Sequence, residues 1–373
     1  MAQDTATTHT HNNQVHSVNC HRNKIILVTG GAGYIGSHTC LVLLQAGYEV
    51  VVLDNLSNSS AESLKRVQAL GGKPLHFIEG DVRDPQVLRD TFARHKISAV
   101  VHFAGLKAVG ESVEKPLDYF SVNVAGTITL CQAMQSAGVF TLGFSSSCTV
   151  YGDPQYVPIP EHHPTGNTAN PYGRSKHMVE QVLQDLAASN NQWKIALLRY
   201  FNPVGAHASG QIGEDPRGIP NNLVPYICQV AVGRHPYLRV FGNDYPTHDG
   251  TGIRDYIHVM DVAEGHAAAL KTMEHENFTG LEAYNLGTGQ GYSVFDVVKA
   301  FEAASGQTIP YKVLPRRAGD IPQTYADPAK AKTQLHWAAQ RTLKTMIQDA
   351  WHWQSKNPAG YQQPIPAKAP NAD

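Results

Sequence analysis

The sequence lacks a surplus of either charge, a long apolar run and any close pair of cysteines. Its 373 residues include 30 lysines and arginines against 31 acidic residues, and the net charge of -1 offers no field for nucleic acid or anionic lipid. No apolar stretch reaches the length of a membrane span. The five cysteines, at positions 20, 40, 131, 148 and 228, show no CxxC spacing and favour free thiols in a reducing cytoplasm. We expect no metal site.

A glycine-rich turn is the most informative segment that is present. Residues 24–28 are apolar and β-branched, which predicts a buried parallel strand, and residues 37–47 follow a helical pattern that ends at a glycine. Glycines at 31, 33 and 36 have the spacing of a turn that binds pyrophosphate, with one at the bend, one near the phosphate and one between helix and strand. The helix N-terminus would offer N–H groups to the anion.

An acidic residue after the second predicted strand indicates which dinucleotide binds. Asp54 ends the apolar run 49–53, and no lysine or arginine follows it until Lys65. A carboxylate there accepts hydrogen bonds from the hydroxyls of the adenosine ribose and repels a 2′-phosphate. The sequence therefore favours NAD over NADP. Asp81 and Val82, after a third strand, are placed to meet the adenine ring.

The order of elements predicts the fold class. Strand patterns at 24–29, 49–53, 75–79, 98–103, 139–145 and 194–199 alternate with helical stretches, and the chain beyond Tyr200 is irregular and rich in proline and glycine. We predict an α/β fold, a Rossmann-type doubly wound parallel sheet with a smaller C-terminal substrate-binding lobe. The NAD-binding domain is expected over 23–200 and the lobe over 201–362, with part of 253–290 returning to the nucleotide domain. Residues 1–22 predict a disordered polar tail rather than a secretory signal, and 363–373 a loose tail.

A tyrosine four residues before a lysine suggests the chemistry. Tyr172 and Lys176 share one face of a predicted helix. A free tyrosine titrates near ~10, and a nearby cation together with the positive nicotinamide would favour the phenolate. The pair would then act as a general base, and Ser147 would hydrogen-bond the same substrate hydroxyl. Such a pair alone is usually structural, and only its place after the glycine turn, Asp54 and the serine run favours catalysis.

These features together resemble the extended short-chain dehydrogenase/reductase family. The Gly30, Gly33 and Gly36 pattern, the serine run 145–147 and the Tyr172/Lys176 pair carry that resemblance. Three longer segments, 102–112, 198–207 and 252–259, are similar to the UDP-glucose 4-epimerases of this family. The resemblance extends from about residue 24 to 362.

The resemblance implies a set of site residues. It makes Tyr172 the catalytic base, with Lys176 and Ser147 as its partners. Residues implied to contact the cofactor, besides that tyrosine and lysine, are Gly30, Gly33, Tyr34, Ile35, Gly36, Asp54, Asn55, Asp81, Val82, Phe103, Ala104, Gly105, Lys107 and Asn123. Residues implied to contact the substrate, besides Ser147 and Tyr172, are Lys107, Asn202, Asn222, Arg254, Tyr256, Arg317, Asp320 and Thr324, the arginines answering the diphosphate charge.

The resemblance implies an NAD-dependent epimerase that inverts C4 of UDP-hexoses. The enzyme would interconvert UDP-galactose and UDP-glucose through a transient 4-keto intermediate, as an isomerase of galactose metabolism. Two alternatives stay open. One is another nucleotide-sugar enzyme of the same fold, a decarboxylase or a dehydratase, although Cys148 and Thr149 stand where a dehydratase would typically carry an Asp-Glu pair. The other is a non-catalytic NAD-sensing protein, which would not need the Tyr172/Lys176 pair.

Two further expectations concern the sugar pocket and the oligomer. An ungapped match puts Thr324 where epimerases restricted to plain hexoses carry a tyrosine, so the pocket would also admit UDP-GlcNAc and UDP-GalNAc. A one-residue slip would instead place Tyr325 there. The family resemblance also implies a homodimer, formed through helices at about 84–96 and 116–137, whose apolar positions equally suit packing on the sheet.

Overall fold

A computed structural model describes residues 24–317 and 319–362. The two tails predicted from the sequence, at 1–22 and 363–373, lie outside the described residues, as does Cys20.

Seven parallel strands form the central sheet, which confirms the predicted fold class. Their order across the sheet is β10-β6-β5-β4-β1-β2-β3, and the chain crosses over after β3, so that two groups of strands extend outward from β1 and β4. The strands are β1 (Ile25–Thr29), β2 (Glu49–Asp54), β3 (His76–Glu79), β4 (Ile97–His102), β5 (Thr141–Ser147), β6 (Lys194–Tyr200) and β10 (Gly280–Leu286).

Helices cover both faces of this sheet. Alternate residues of β1 supply two separate cores: Ile26 and Val28 pack on one face, and Leu27 on the other. The first face carries α1 (Tyr34–Gln45), α2 (Ala61–Gly71) and α9 (Val259–Met273), and the second carries α3 (Pro85–Arg94), α6 (Gly126–Ser136) and α7 (Pro171–Ser189).

The helix that carries the candidate base begins where the sequence dictates. Asn170 caps α7 by accepting a hydrogen bond from the Gly173 N–H, and Pro171 occupies the first helical position, where no amide donor is needed. Before α6 the chain makes α4 (Val109–Glu114), α5 (Pro116–Tyr119) and a π-helical turn over Phe120–Ala125. A 3₁₀ turn, Cys148–Tyr151, follows β5.

A smaller lobe is built between β6 and the end of the chain. Its sheet has β9 (Ile253–His258) at the centre, flanked by β7 (Asn202–Val204), β11 (Gly291–Ser293) and β13 (Gln323–Thr324), and β8 (Leu238–Phe241) pairs with β12 (Tyr311–Leu314). Three helices pack around this lobe's own core: α8 (Leu223–Ala231), α10 (Val294–Ser305) and α12 (Leu343–Lys356). A short helix, α11 (Ala329–Gln334), lies against β10.

The carboxyl ends of β1, β2, β4 and β5 meet at one edge of the central sheet, where parallel α/β sheets bind ligands. The candidate cofactor residues end or follow strands β1, β2, β3 and β4, or lie in the helical segments beside the sheet. Within residues 24–317 and 319–362, none of the helices combines the length and apolar character that a membrane crossing requires.

Candidate active site

The glycine turn leaves no space for side chains. Gly30 has a φ of 71°, and a Cβ there would lie 2.6 Å from the backbone nitrogen of Ala104. At Gly36 a Cβ would lie 2.3 Å from the Gly30 carbonyl oxygen. The bend is thus made by Gly30, which the spacing of 31, 33 and 36 omits, while Gly36 lets α1 pack on the turn. The helix also begins earlier than its pattern suggested, at Tyr34 rather than 37.

The N-terminus of α1 is open to an anion. Gly33 precedes the helix, no described side chain caps it, and its first turn contains no acidic residue. The Tyr34 hydroxyl donates instead to the Gly205 carbonyl, 2.7 Å away, and this bond joins α1 to the chain after β7. Amide donors, the helix dipole and a turn with glycine at positions 30, 31 and 33 together fit a pyrophosphate.

Asp54 also stabilises the backbone around the glycine turn, which the sequence did not reveal. It is buried at the end of β2, where one carboxylate oxygen accepts the Ala32 N–H at 3.0 Å. The other oxygen accepts the Leu56 N–H at 2.9 Å and the Ser59 hydroxyl at 2.8 Å. These bonds fix the turn, and the carboxylate, which offers about four acceptor positions, retains room for a ribose hydroxyl.

An arginine that the sequence analysis did not consider, Arg83, lies among the residues predicted to surround the adenine. Asp81 accepts two bonds from the Arg83 guanidinium, at 2.9 and 2.7 Å, and a third from the Asn55 amide at 3.1 Å. The hydrogen bonds from Arg83 lower the pKa of Asp81 to about 2. Val82 beside them is buried. Because its guanidinium is occupied by Asp81, Arg83 forms an ion pair there and is not a free phosphate ligand.

The loop after β4 is held by hydrogen bonds from Asn123 and is joined to the lobe by an ion pair. The Asn123 side chain accepts from the Leu106 N–H at 2.8 Å and donates to the Leu106 carbonyl at 3.0 Å. This residue therefore shapes the loop that contains Gly105, whose Cβ position lies against its amide. Lys107, from the same loop, forms an ion pair with Glu214 at 3.0 Å. Phe103 packs on the His266 ring, and Ala104 lies against Gly30.

Ser147, Tyr172 and Lys176 come together at the end of β5. The Ser147 Oγ accepts the Thr149 N–H and hydroxyl at 3.2 and 3.0 Å, so its own proton can be donated to Tyr172 or to a substrate oxygen. Lys176 is buried, and its ammonium donates to the Ser145 carbonyl at 2.7 Å and lies 4.8 Å from the Phe144 ring centre.

Burial controls the titration of both candidate groups. It raises the pKa of Tyr172 to about 12, while the hydrogen bond with Ser147 acts in the opposite direction. It lowers the pKa of Lys176 to about 8, and the charge of Glu180 opposes that shift. Tyr172 therefore needs further positive charge in the cleft before it can serve as a base near neutral pH.

Two predicted arginines of the lobe lie around one carboxylate. Asp320 is 3.1 Å from the Arg317 Nε and 3.9 Å from an Arg254 Nη. The Arg254 guanidinium also donates to the Ile253 carbonyl at 2.8 Å, and Gly252 leaves it space. The Arg317 side chain is 54% exposed, so this pair faces the solvent-open side of the cleft.

Strand pairing assembles the remaining lobe residues. Asn202 of β7 pairs with Tyr256 of β9, and Thr324 of β13 pairs with Arg254. Because residues two apart on a strand face the same side, these four side chains share one face of the small sheet. Tyr325 belongs to the other face, where its ring lies against Gly291 beside Ile253. Asn222 is exposed just before α8, and it makes no side-chain cap there.

Three residues that the sequence analysis missed also border the cleft. The Phe241 ring lies 4.5 Å from the Arg317 guanidinium carbon, and the Tyr245 ring 4.1 Å from that of Arg316. Arg217 donates to the carbonyls of Ser57 and Ser59, directly after Asp54, at 3.0 and 2.8 Å. The only local signal for Phe241 and Tyr245 was that they are aromatic residues within the Pro/Gly-rich stretch. Nothing in the sequence relates Arg217 to Ser57, which lies 160 positions away.

Known proteins are similar to this chain in both sequence and structure. The model of the NAD dependent epimerase/dehydratase family matches residues 26–287. UDP-glucose 4-epimerase of Bacillus subtilis is 61% identical over 337 residues, which are 90% of this chain and 98% of that protein. The structure of UDP-glucose 4-epimerase from Bifidobacterium longum in complex with NAD+ and UDP has a TM-score of 0.88 at 52% identity, and the match covers 90% of this chain and all of that one.

A third similar structure is the UDP-Glc/GlcNAc 4-epimerase of Campylobacter jejuni. Its TM-score is 0.78 at 37% identity, and the match covers 89% of this chain and 99% of that one. The family model covers more than half of the chain, and the identity to the curated relatives extends over nine-tenths of it. The chain belongs to the NAD dependent epimerase/dehydratase family.

Proposed function

We propose that this protein is an NAD-dependent epimerase that inverts C4 of UDP-hexoses and interconverts UDP-galactose and UDP-glucose. The observation that carries the proposal is the placement of Ser147, Tyr172 and Lys176 at the carboxyl edge of the parallel sheet, with Arg254 and Arg317 together in the lobe. Relatives at 61% identity over nine-tenths of the chain carry the name of this activity.

The cofactor would be held by the nucleotide half. The open N-terminus of α1 would bind the pyrophosphate, Asp54 a ribose hydroxyl, and Asn55, Asp81 and Val82 the adenine side. Gly30, Gly33, Ile35 and Gly36 would line the turn, with Phe103, Ala104, Gly105 and Lys107 opposite. NAD bound by these residues would supply the chemistry of reversible hydride transfer at C4 of the sugar.

Tyr172 would take the proton of the C4 hydroxyl and later give it back. Its phenol lies in a buried site, where a positive charge has a strong effect on its ionisation. Lys176 supplies one such charge on the same helix face, while Ser147 has a hydroxyl proton to share with the sugar oxygen. The buried setting also keeps water from the reacting carbon.

The lobe would anchor UDP and leave the hexose free to turn. Arg254 and Arg317 would carry positive charge toward the diphosphate, and Asp320, which lies within ion-pair distance of both, would hold them together. We expect the nucleotide and the sugar to be bound in addition by Asn202, Tyr256 and Asn222. Anchoring through UDP alone lets the ketose present either face to the returning hydride.

One assay tests the activity and separates it from both alternatives. Purified protein is incubated with UDP-galactose and no added reductant, and UDP-glucose is measured, with Tyr172→Phe as the inactive control. Formation of UDP-glucose supports the proposal. A 4-keto-6-deoxy sugar, a decarboxylated product or unchanged substrate would contradict it.

We also propose that the sugar pocket accepts N-acetylated hexosamines. Thr324 is buried on the face that carries Arg254, whereas Tyr325 occupies the opposite face and cannot close that wall. A threonine in place of a tyrosine frees about a ring's volume, which suits an acetamide group. Turnover of UDP-GalNAc to UDP-GlcNAc by the purified protein is the direct test.

We propose a cytoplasmic homodimer as the working state. The exposed apolar side chains Ile128 on α6 and Met178 on α7 flank a shallow groove between these helices, lined by Cys131, Val182 and Leu186. Of the two predicted helices, the 116–137 segment thus contributes to this surface, while α3 buries Leu88 against the sheet. The four described cysteines are free thiols, in keeping with a reducing compartment. Sedimentation of wild type and Ile128→Glu would test the dimer.

A further inference from the structure

Two consecutive serines of β5 each bond a side chain of the catalytic helix. The Lys176 ammonium donates to the Ser145 carbonyl at 2.7 Å, and the Ser146 hydroxyl donates to a Glu180 carboxylate oxygen at 2.5 Å. Lys176 and Glu180 are one helical turn apart on α7. The next residue along β5 is Ser147. These two bonds therefore fix the register between the strand end that carries the serine and the helix that carries the tyrosine.

Glu180 is also half of a fully buried ion pair. The Arg199 guanidinium reaches its two oxygens at 2.9 and 2.6 Å, and the two side chains are only 5% and 2% exposed. The remaining arginine donors reach the Tyr151 hydroxyl and the Glu161 carbonyl, both at 3.0 Å. The pair thus joins α7 to β6 and to the chain after the 3₁₀ turn. A buried pair is an expensive way to fix two elements, so its charges invite a functional explanation.

Lys176 and Tyr172 are surrounded by titratable and aromatic groups from several elements. Groups that face the site formed by Lys176 and Tyr172 are Glu180 on the same helix, His102 of β4, Tyr119 of α5, the Phe144 ring of β5, Cys148 of the 3₁₀ turn and Tyr200 of β6. Burial and the lysine charge lower the pKa of His102 to about 3, so this ring is neutral. Glu180 is the anion whose charge favours the lysine cation against burial.

We propose that Glu180 is a positioning residue for catalysis: it holds Lys176 and Ser147 in register and keeps the buried ammonium charged beside Tyr172. Arg199 balances the carboxylate and fixes its orientation. This inference rests on the proposed function, because it acts through the roles assigned there to Tyr172 and Lys176.

The test compares two variants that both disturb the ion pair but differ in the charge beside Lys176. Glu180→Gln removes the anion, whereas Arg199→Lys keeps both charges and loses only the two-pronged geometry. The alkaline limb of the pH profile of kcat, which belongs to the coupled Tyr172/Lys176 pair, should move down by about one pH unit in Glu180→Gln, with a lower maximum. It should stay in place in Arg199→Lys. Equal shifts in both variants, or none in either, would overturn the proposal.

A double variant keeps the proposal testable if Glu180→Gln alone does not fold. Glu180→Gln combined with Arg199→Met removes both charges of the ion pair, so no arginine is left buried without its carboxylate, and it still removes the anion beside Lys176. Its alkaline limb should also lie below that of the wild type, and a limb at the wild-type pH would contradict the proposal. Tyr172→Phe separates the two levels of inference: if that variant keeps wild-type kcat, the proposed base is wrong, whereas an inactive Tyr172→Phe with unshifted Glu180→Gln rejects only the positioning role.

Discussion

The two halves of the cleft differ in how firmly they hold their charged groups. Lys176, on the sheet side, is buried and bonded to a backbone carbonyl within regular structure. On the lobe side, Arg317 is about half exposed and extends from a loop toward Asp320. A buried charge acts strongly on a neighbouring proton, while an exposed one binds an anion and releases it again. Under the proposed function, the comparison assigns proton transfer to the sheet side and the binding and release of UDP to the lobe side.

The strongest test of the sheet side is Tyr172→Phe. Removal of a positioned general base should lower kcat by about 10²- to 10⁴-fold, with little change in UDP binding. Steady-state kinetics with UDP-galactose and calorimetric titration with UDP measure the two effects. Tyr48→Phe is the matched control, because that hydroxyl is also buried but bonds Glu274 at the far end of the sheet. Comparable losses of kcat in the two variants would show that the base lies elsewhere.

On the lobe side, Thr324→Tyr should change specificity and leave the chemistry intact. The added ring fills the space beside Arg254, so turnover of UDP-GalNAc should fall by about 100-fold while UDP-galactose is still epimerised. Tyr325→Phe, on the opposite face of β13, should alter neither activity. A wild-type protein without activity on UDP-GalNAc would show that the pocket is already closed.

A smaller effect is expected for the arginines that we propose to bind the diphosphate in the lobe. Arg254→Met removes a charge-assisted contact to the diphosphate, and since such contacts contribute about 1.5–3 kcal/mol, KM should rise by roughly 10- to 100-fold with kcat nearly unchanged. Arg316→Met changes the same charge at a residue that pairs with Asp244, and we expect its KM to stay near the wild-type value. If kcat rather than KM falls in Arg254→Met, the division of roles between the halves is incorrect.

The smallest effect concerns stability in acid. Burial lowers the pKa of His38, His102 and His266 to about 3, and all three lie in the sheet half. Between pH 6.5 and 3 the unfolded chain binds protons that the folded one excludes, so stability falls as the pH falls. Each ring contributes at most about 1.4 kcal/mol per pH unit.

Thermal unfolding between pH 7 and 5 checks this expectation. Replacing His102 by Gln, which keeps hydrogen-bonding groups for Thr29 and Thr127 but cannot titrate, should make the pH dependence shallower. An unchanged slope in that variant would exclude His102 as a contributor.

The fold and the sheet side of the site could be predicted from the sequence because their signals are local. The glycine turn, Asp54 and the Tyr172/Lys176 spacing each lie within one strand or one helix, where period and spacing carry the information. The order of elements was enough for the fold class. Even here the sequence missed contacts across the fold, such as the bonds that Asp54 makes to its own turn and the Arg83 ion pair with Asp81.

The lobe side could not be assembled in the same way. Lys107 meets Glu214 across 107 positions, and Thr324 meets Arg254 only because β13 and β9 pair. The sequence placed Thr324 by matching a family motif, and only strand pairing distinguishes its face from that of Tyr325. Short strands of two to four residues, such as β8 and β13, also give no periodicity to detect.

The late return of β10 to the edge of the central sheet has a consequence for synthesis. This strand pairs with β6, but the ribosome must add the intervening residues 201–279 before it emerges. At roughly 5–20 residues per second, the outer edge of β6 stays unpaired for about 4–16 s. Such an edge is a template for aggregation. The nascent chain is therefore most vulnerable while its lobe is being translated, and chaperone occupancy should peak over that interval.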